Sequence, residues 1–274
     1  MKKAFLALML FVSLSLVFVG AAQAKLSLSV GYVHSHFHYW EHCKPADQET
    51  ANMNGFKVVL TNTNDNTNTF QQLSFKYEES GQGRYDGASI IEDPFVDYIF
   101  TFPLKLNSSL SLYRLEYKSG YFLPISEQLT VYSYGLIGYR YWRRQDNPGL
   151  DEGYFFVSGG VEHYRMLYGG LGAGVAYSFR PRVAAGIDFA FYLAPKWHST
   201  NYMRSEHFTF HMGTATGYQV QIPITINLSK NVNLDAGFYA LHWRFRRSST
   251  QQGWYEPGSE TNEVGIVAGI TCVF

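Results

Sequence analysis

The sequence predicts an all-β protein: a closed antiparallel transmembrane β-barrel of about ten strands, with eight to twelve as the range. Three observations carry that reading. Beyond residue 24, segment after segment alternates apolar and polar residues with period two, which gives each strand one greasy and one polar face. Aromatic residues make up 17% of the chain, while apolar residues overall stay at 46%. That balance suits a wall whose outside meets lipid and whose inside is polar. Past the amino-terminal segment, no apolar run reaches the ~18 residues of a spanning helix. Strands that cross lipid must close on themselves, because lipid satisfies no open sheet edge.

The elements follow in order. Lys2 and Lys3, the apolar run Ala4 to Val19 and the small-x-small site Ala22-Gln23-Ala24 form a secretory signal peptide over residues 1–24. Its removal leaves one domain, residues 25–274, with no Pro-, Gly- or Ser-rich linker inside it. The first strand carries Leu26, Leu28, Val30 and Tyr32 on one face and Ser27, Ser29, Gly31 and Val33 on the other. A polar loop around Cys43, Pro45 and Asp47 leads to a second strand from near Phe56, and Asn62 to Asn68 turns. The third strand sets Leu73, Phe75 and Tyr77 outward against Gln72, Ser74, Lys76 and Glu78 inward. Residues 81–107 stay open: Tyr98 to Leu106 forms either a strand pair of its own or the upper part of a loop hairpin.

The fourth strand has Tyr113, Leu115, Tyr117 and Tyr121 outward, with Arg114, Glu116 and Lys118 inward. After a turn at Pro124 to Gln128, the fifth runs Leu129 to Trp142, and Arg143 to Gly153 reads as a charged outer loop. Residues 154–179 read as one long strand or two. Arg180-Pro181-Arg182 turns into a strand with Ile187 and Phe189 outward and Asp188 inward. Trp197 to Phe210 reads as a long loop. Then Tyr218, Val220, Ile222, Ile224 and Ile226 alternate with Gln219, Gln221 and Thr225. Ser229-Lys230-Asn231 turns into Val232, Leu234, Ala236 and Phe238 against Asp235, and Arg246 to Thr261 is the last loop.

The final strand alternates Val264, Ile266, Ala268, Ile270, Cys272 and Phe274 with Glu263, Gly265, Val267, Gly269 and Thr271. A chain ending on an aromatic residue in such a strand resembles the sorting signal of bacterial outer-membrane β-barrels. The resemblance implies export to the cell outer membrane of a Gram-negative bacterium and surface-exposed loops. It also implies contacts with outer-membrane lipid, lipopolysaccharide and the outer-membrane assembly machinery. Strand count and length resemble the omptin proteases as well. Their acidic pair and Asp-His pair are not matched: Asp93 and Asp97 are spaced differently, and Glu206-His207 is adjacent rather than alternating. The protease residues are therefore not carried over.

The inward positions collect Lys76, Glu78, Arg114, Glu116, Lys118, Asp188, Gln219, Gln221, Asp235 and Glu263. A barrel of this size is barely wider than its own side chains, and unpaired buried charges are unfavourable. These residues are expected to form a polar network that plugs the lumen; a narrow solute path is the alternative. His34, His36 and His38 share one strand face at spacings of about 7 Å. They read as a polar ridge above the lipid face and as weak candidates for a metal site, since same-strand neighbours chelate poorly. Cys43 and Cys272 fall at opposite ends of the barrel, beyond the ~7 Å a disulfide allows. Zero net charge leaves no footprint for nucleic acid. The expected role is structural or surface-binding, carried by the outer loops toward an unidentified extracellular ligand. A porin-like channel is the alternative, with an omptin- or lipid-A-modifying-type enzyme behind it. No catalytic residue and no cofactor is assigned.

Overall fold

The computed structural model describes residues 24–43, 46–93, 98–146, 149–151, 155–157, 160–203, 206–250 and 255–274. Residues 1–23 of the expected signal peptide lie outside them. The strands are β1 Ala24–Glu41, β2 Gln48–Asn64, β3 Thr69–Asp93, β4 Tyr98–Pro124, β5 Leu129–Asp146, β6 Gly149–Asp151 and β7 Phe155–Val157. They continue with β8 Gly160–Arg180, β9 Val183–Ala194, β10 Trp197–Met203, β11 Glu206–Met212, β12 Ala215–Asn227, β13 Val232–Phe245 and β14 Ser259–Val273.

Ten of these form the wall, in the order β1-β2-β3-β4-β5-β8-β9-β12-β13-β14, and β14 pairs back onto β1. Every pairing in the wall is antiparallel. The register shows how the sheet closes. Starting at Leu26, the paired row runs through Asn62, Gln71, Ser119, Gly135, Leu171, Phe191, Tyr218, His242 and Asn262. It returns to β1 at His38, twelve residues above its start. That stagger tilts the strands by about 40° from the barrel axis. The four short turns, at residues 65–68, 125–128, 181–182 and 228–231, share one end with Ala24 and Phe274. At the first of them Asn68 takes a left-handed φ of 52°, and Asn64 Oδ1 accepts the N–H groups of Asn66 and Thr67. Asn suits both tasks.

The outer face explains why these strands form a wall and not a sandwich. Val30, Leu115, Ile137, Leu171, Ile187, Phe189, Phe238, Val264 and Ile270 all point out and are exposed. Soluble proteins rarely expose so continuous an apolar band; lipid is its natural solvent. Ile224 holds the same outward parity on β12 but is half-buried. Above the band the two faces exchange character. On β1 the outward residues become His34, His36 and His38, and the inward ones become Val33, Phe37 and Tyr39, each at most 2% exposed. The upper part of the wall is thus packed inside like a soluble β-protein.

Several expected boundaries move for this reason. β2 begins at Gln48, not near Phe56, and β5 continues to Asp146, so part of the expected loop at Arg143 to Gly153 is wall. Residues 98–106 are the upper part of a tall β3–β4 hairpin, with Asp93 paired to Tyr98 and Tyr85 to Leu106. Residues 160–180 form one strand, and Phe155–Val157 belongs to a separate small hairpin with Gly149–Asp151. The expected loop from Trp197 to Phe210 is a hairpin, β10–β11, that continues the sheet beside the upper part of β8.

Candidate functional site

The lumen is layered. Its lower part, beside the short turns, is a cavity of ≈ 440 Å³. Lys57, Lys118, Asp188, Asp235, Gln221 and Gln72 line it, together with the rings of Tyr132 and Tyr134. Those rings need room, and inward glycines on β8 supply it. A Cβ on Gly172 would lie 2.2 Å from the Tyr134 ring, and one on Gly174 would lie 2.3 Å from Tyr132. The Tyr134 hydroxyl donates to Asp188 at 2.8 Å, and Lys118 reaches the same hydroxyl at 3.4 Å. Asp235 accepts from Thr225 at 2.8 Å and from Thr271. Of the expected lumen residues, Lys118, Asp188, Gln221 and Asp235 therefore sit on this cavity's walls.

Ionic side chains close the cavity from above. Lys76 bridges Glu78, at 2.5 Å, and Glu263. The Tyr239 hydroxyl donates to Glu263 at 2.7 Å, and Ser35 donates to Glu78 at 2.7 Å. Beside this triad, Arg114 donates to Glu116 at 2.8 Å, Gln219 at 2.9 Å, Tyr168 at 3.1 Å and Tyr192 at 2.6 Å. The structure thus brings Lys76, Glu78 and Glu263 into one cluster and Arg114, Glu116 and Gln219 into another. The strand pairs alone do not account for this: Lys76 and Glu263 stand on β3 and β14, Arg114 and Gln219 on β4 and β12, and they meet across the lumen.

Above them lies an aromatic layer that the sequence reading missed. Trp142 stacks on Tyr164 at 4.2 Å, Tyr192 on Trp243 at 5.3 Å, and Trp197 packs on Phe245 at 4.9 Å. Trp197, Trp243, Tyr164 and Tyr168 are among the largest fully buried side chains. Arg140, 1% exposed, lies within cation–π distance of Trp142 and Trp243, at 4.9 and 5.8 Å.

The topmost layer, beyond the outward His34, His36 and His38, gathers Glu41, Glu49, Asp146, Glu162 and Glu256 around Arg144. Arg144 Nη2 pairs with Glu162 at 2.8 Å, and its guanidinium lies over the Tyr39 and Tyr85 rings at 5.3 and 5.4 Å. Burial raises Glu41 and Glu49 to about 7, against the pull of Arg144. Glu256 comes from the β13–β14 connection, tucked inward. Its Oε2 accepts from Asn201 at 3.1 Å, and its backbone exchanges bonds with Ser248. The Tyr164 hydroxyl lies 2.5 Å from Glu162 Oε2 and 2.8 Å from Glu256 Oε1. One hydroxyl has one proton to give, so one of the two carboxyls must hold a proton itself. Burial, then Glu162 and Glu41, raise Glu256 to about 8, which makes it the protonated partner at neutral pH. Parity was the available signal for this layer: Arg140, Trp142 and Arg144 continue the inward run of Tyr132, Tyr134, Leu136 and Gly138 on β5.

His34, His36 and His38 lie outside the barrel, each with its own neighbour. His34 and His36 bond Asn54 and Asn52 across β2, both at 2.9 Å, and His38 stacks on Trp40 at 4.8 Å. Among the described residues no group of three or more His, Cys, Asp or Glu side chains is arranged to hold a metal ion.

No protein-family model matches the chain, and no curated protein matches its sequence. Solved structures do match. Ail, the attachment invasion locus protein of Yersinia pestis, is 13% identical over 91% of this chain and 99% of its own, with a TM-score of 0.33. A major outer membrane protein from Thermus thermophilus is 10% identical over 92% and 99%, with a TM-score of 0.43. Neisserial surface protein A is 9% identical over 91% and 97%, with a TM-score of 0.34. On its own register, apolar belt and unbroken wall, the chain is a ten-stranded transmembrane β-barrel of the bacterial outer-membrane kind.

Proposed function

We propose that this is an integral outer-membrane protein that does not conduct solutes and that binds a ligand at the cell surface through its extracellular walls and loops. The observation that carries this is the filled upper lumen. Above the lower cavity, the cross-section holds the Lys76 and Arg114 clusters, then the Trp142, Tyr164, Trp197 and Phe245 stack, then Arg144 and its carboxyls. These side chains project from the wall strands and their connections, so opening a path would mean dismantling the core. The wall meanwhile rises well past the lipid belt, highest at the β3–β4 hairpin, whose strands are 25 and 27 residues long. A ~25 Å belt needs about ten tilted residues per strand. The surplus offers surface to the exterior.

Planar-bilayer recording of the purified protein tests the first half: no stable porin-like steps are expected, and large stable ones would promote the channel reading. Binding of whole cells to immobilised host or matrix ligands, with and without residues 86–105 replaced by a short turn, tests the second. Unchanged binding to every ligand that the intact cells recognise would remove the hairpin from the role.

A further inference from the structure

The outer wall just above the belt carries two arginines that no carboxylate pairs. Two paired rows face outward there. The lower runs Tyr113, Tyr141, Arg165, His198 and His211, and the upper runs Ser111, Arg143, His163, Thr200 and Thr209. The outward carboxylate of the upper row, Glu79 on β3, lies beyond Ser111 and accepts from the Tyr77 hydroxyl. Arg143 and Arg165 are diagonal neighbours on β5 and β8, about 7–8 Å apart at Cα. The groups around them hold them in place without neutralising them. Arg165 donates to Thr200 at 3.3 Å and lies 5.8 Å over the Tyr141 ring, while Arg143 donates to the carboxamide of Gln145. The Tyr141 hydroxyl and His163 Nδ1 are 2.7 Å apart. Burial, and then the two arginines, depress the His163 pKa, which reports the local positive field. Among the described residues neither arginine has an ion-pair partner, whereas Arg84, Arg114, Arg144 and Arg244 each have one.

Height matters as much as charge. One step below the lower row stand Leu115, Tyr139 and Leu167, exposed and apolar, and Leu193 follows below them on β9. The patch therefore begins where the acyl-chain zone ends. Tyr113, Tyr139 and Tyr141 form the aromatic edge expected at that depth. A guanidinium fork matches phosphate oxygens two at a time. A ligand that pairs phosphates with acyl chains would place the former on Arg143 and Arg165 and the latter along Leu167 and Leu193. A headgroup carrying its own ammonium would leave both arginines uncompensated.

We propose that Arg143 and Arg165, framed by Tyr141, His163 and His198, form a binding site for the phosphates of lipopolysaccharide in the outer leaflet. This rests on the membrane placement proposed above and adds a ligand and a site to it. The test uses the full-length mature barrel in detergent, with native mass spectrometry against bis-phosphorylated lipid A and the same lipid stripped of phosphate. The wild type is expected to retain the phosphorylated form preferentially. R143Q/R165Q is expected to bind it about tenfold or more weakly, since charge-assisted pairs are lost. R244Q, whose arginine pairs with Glu260, is expected to leave binding unchanged. Millimolar inorganic phosphate is expected to leave lipid bound; its complete displacement of the lipid would mark a free-anion site and overturn the proposal. So would equal binding of the two lipids, or undiminished binding by R143Q/R165Q. Insertion of the wild type into vesicles is scored separately. Failure to insert refutes the membrane placement, whereas insertion without phosphate discrimination refutes the site alone.

Discussion

Glu256 gives the most direct handle on the upper layer, through pH. Its carboxyl is raised to about 8, while Glu41 and Glu49 are raised to about 7, all chiefly by burial. Once the β13–β14 connection swings out, each returns toward an ordinary carboxylate value near 4.3. The closed form therefore binds more protons than the open form between those limits. Closure is fully favoured below the ordinary value and is lost as pH rises through 7 to 8. Each pH unit removes about 1.4 kcal/mol per proton in that window. From pH 6 to 8 Glu256 alone gives roughly 2–3 kcal/mol, and Glu41 and Glu49 together add about as much again. Their mutual repulsion is shared, so about 3–5 kcal/mol is the expected total. Hydrogen exchange at the amides of Ser248 and Glu256, corrected for the intrinsic pH dependence of exchange, should lose protection by two or more orders of magnitude over that range. E256Q cannot ionise and should lose protection only about half as steeply, through Glu41 and Glu49 alone. Protection that stays flat from pH 6 to 9, or an E256Q profile as steep as wild type, would refute the assignment.

Three other tests follow from the layers and the belt. K76M strips the ammonium from between Glu78 and Glu263 and should destabilise the barrel by about 3–5 kcal/mol, read by urea unfolding from vesicles. K76M/E78L/E263L, which removes the whole triad, should recover most of that loss; a triple variant as weak as K76M would mean the charges are not compensating one another. I187R, on the lipid face, should lose about 2–4 kcal/mol near the bilayer midplane in the same assay, and an unchanged midpoint would place Ile187 elsewhere. G172V would drive a side chain into the Tyr134 ring, 2.2 Å from where its Cβ must sit. Retention of wild-type folding yield in vesicles would show that the Gly172 cleft is not needed.

The part of the fold that meets lipid was legible because lipid imposes a single rule: apolar outward, polar inward. β12 reads cleanly from Tyr218 to Ile226 on that basis, and so does β14 from Val264 to Cys272. The upper wall was not legible because the rule reverses where water replaces lipid. Parity continues through β1 without a break, but polarity swaps between Tyr32 and His34, and again on β5 between Tyr139 and Arg143. A reader following polarity ends the strand there; a reader following parity carries on to Glu41 and Asp146. The same reversal hid Arg144, Glu49 and Glu162, which look like loop charges until their parity places them inside. The lumen residues below the reversal were found because their neighbours alternate. Which of them meet across the barrel was not readable, since the stagger of the wall, not spacing along one strand, sets that.

The clusters that join distant strands make the barrel's interior depend on the whole chain being present. Lys76 of β3 is answered by Glu263 of β14, Arg114 of β4 by Gln219 of β12, and Tyr164 of β8 by Glu256 after β13. A sheet that has entered the membrane without its final strand holds its early cations against an unsealed, water-filled gap, where water and counterions can satisfy them. Arrival of β14 supplies the missing carboxylate and closes the seam at once, and only then do the aromatic rings above dry out. Completion of the wall is thereby coupled to desolvation of the interior.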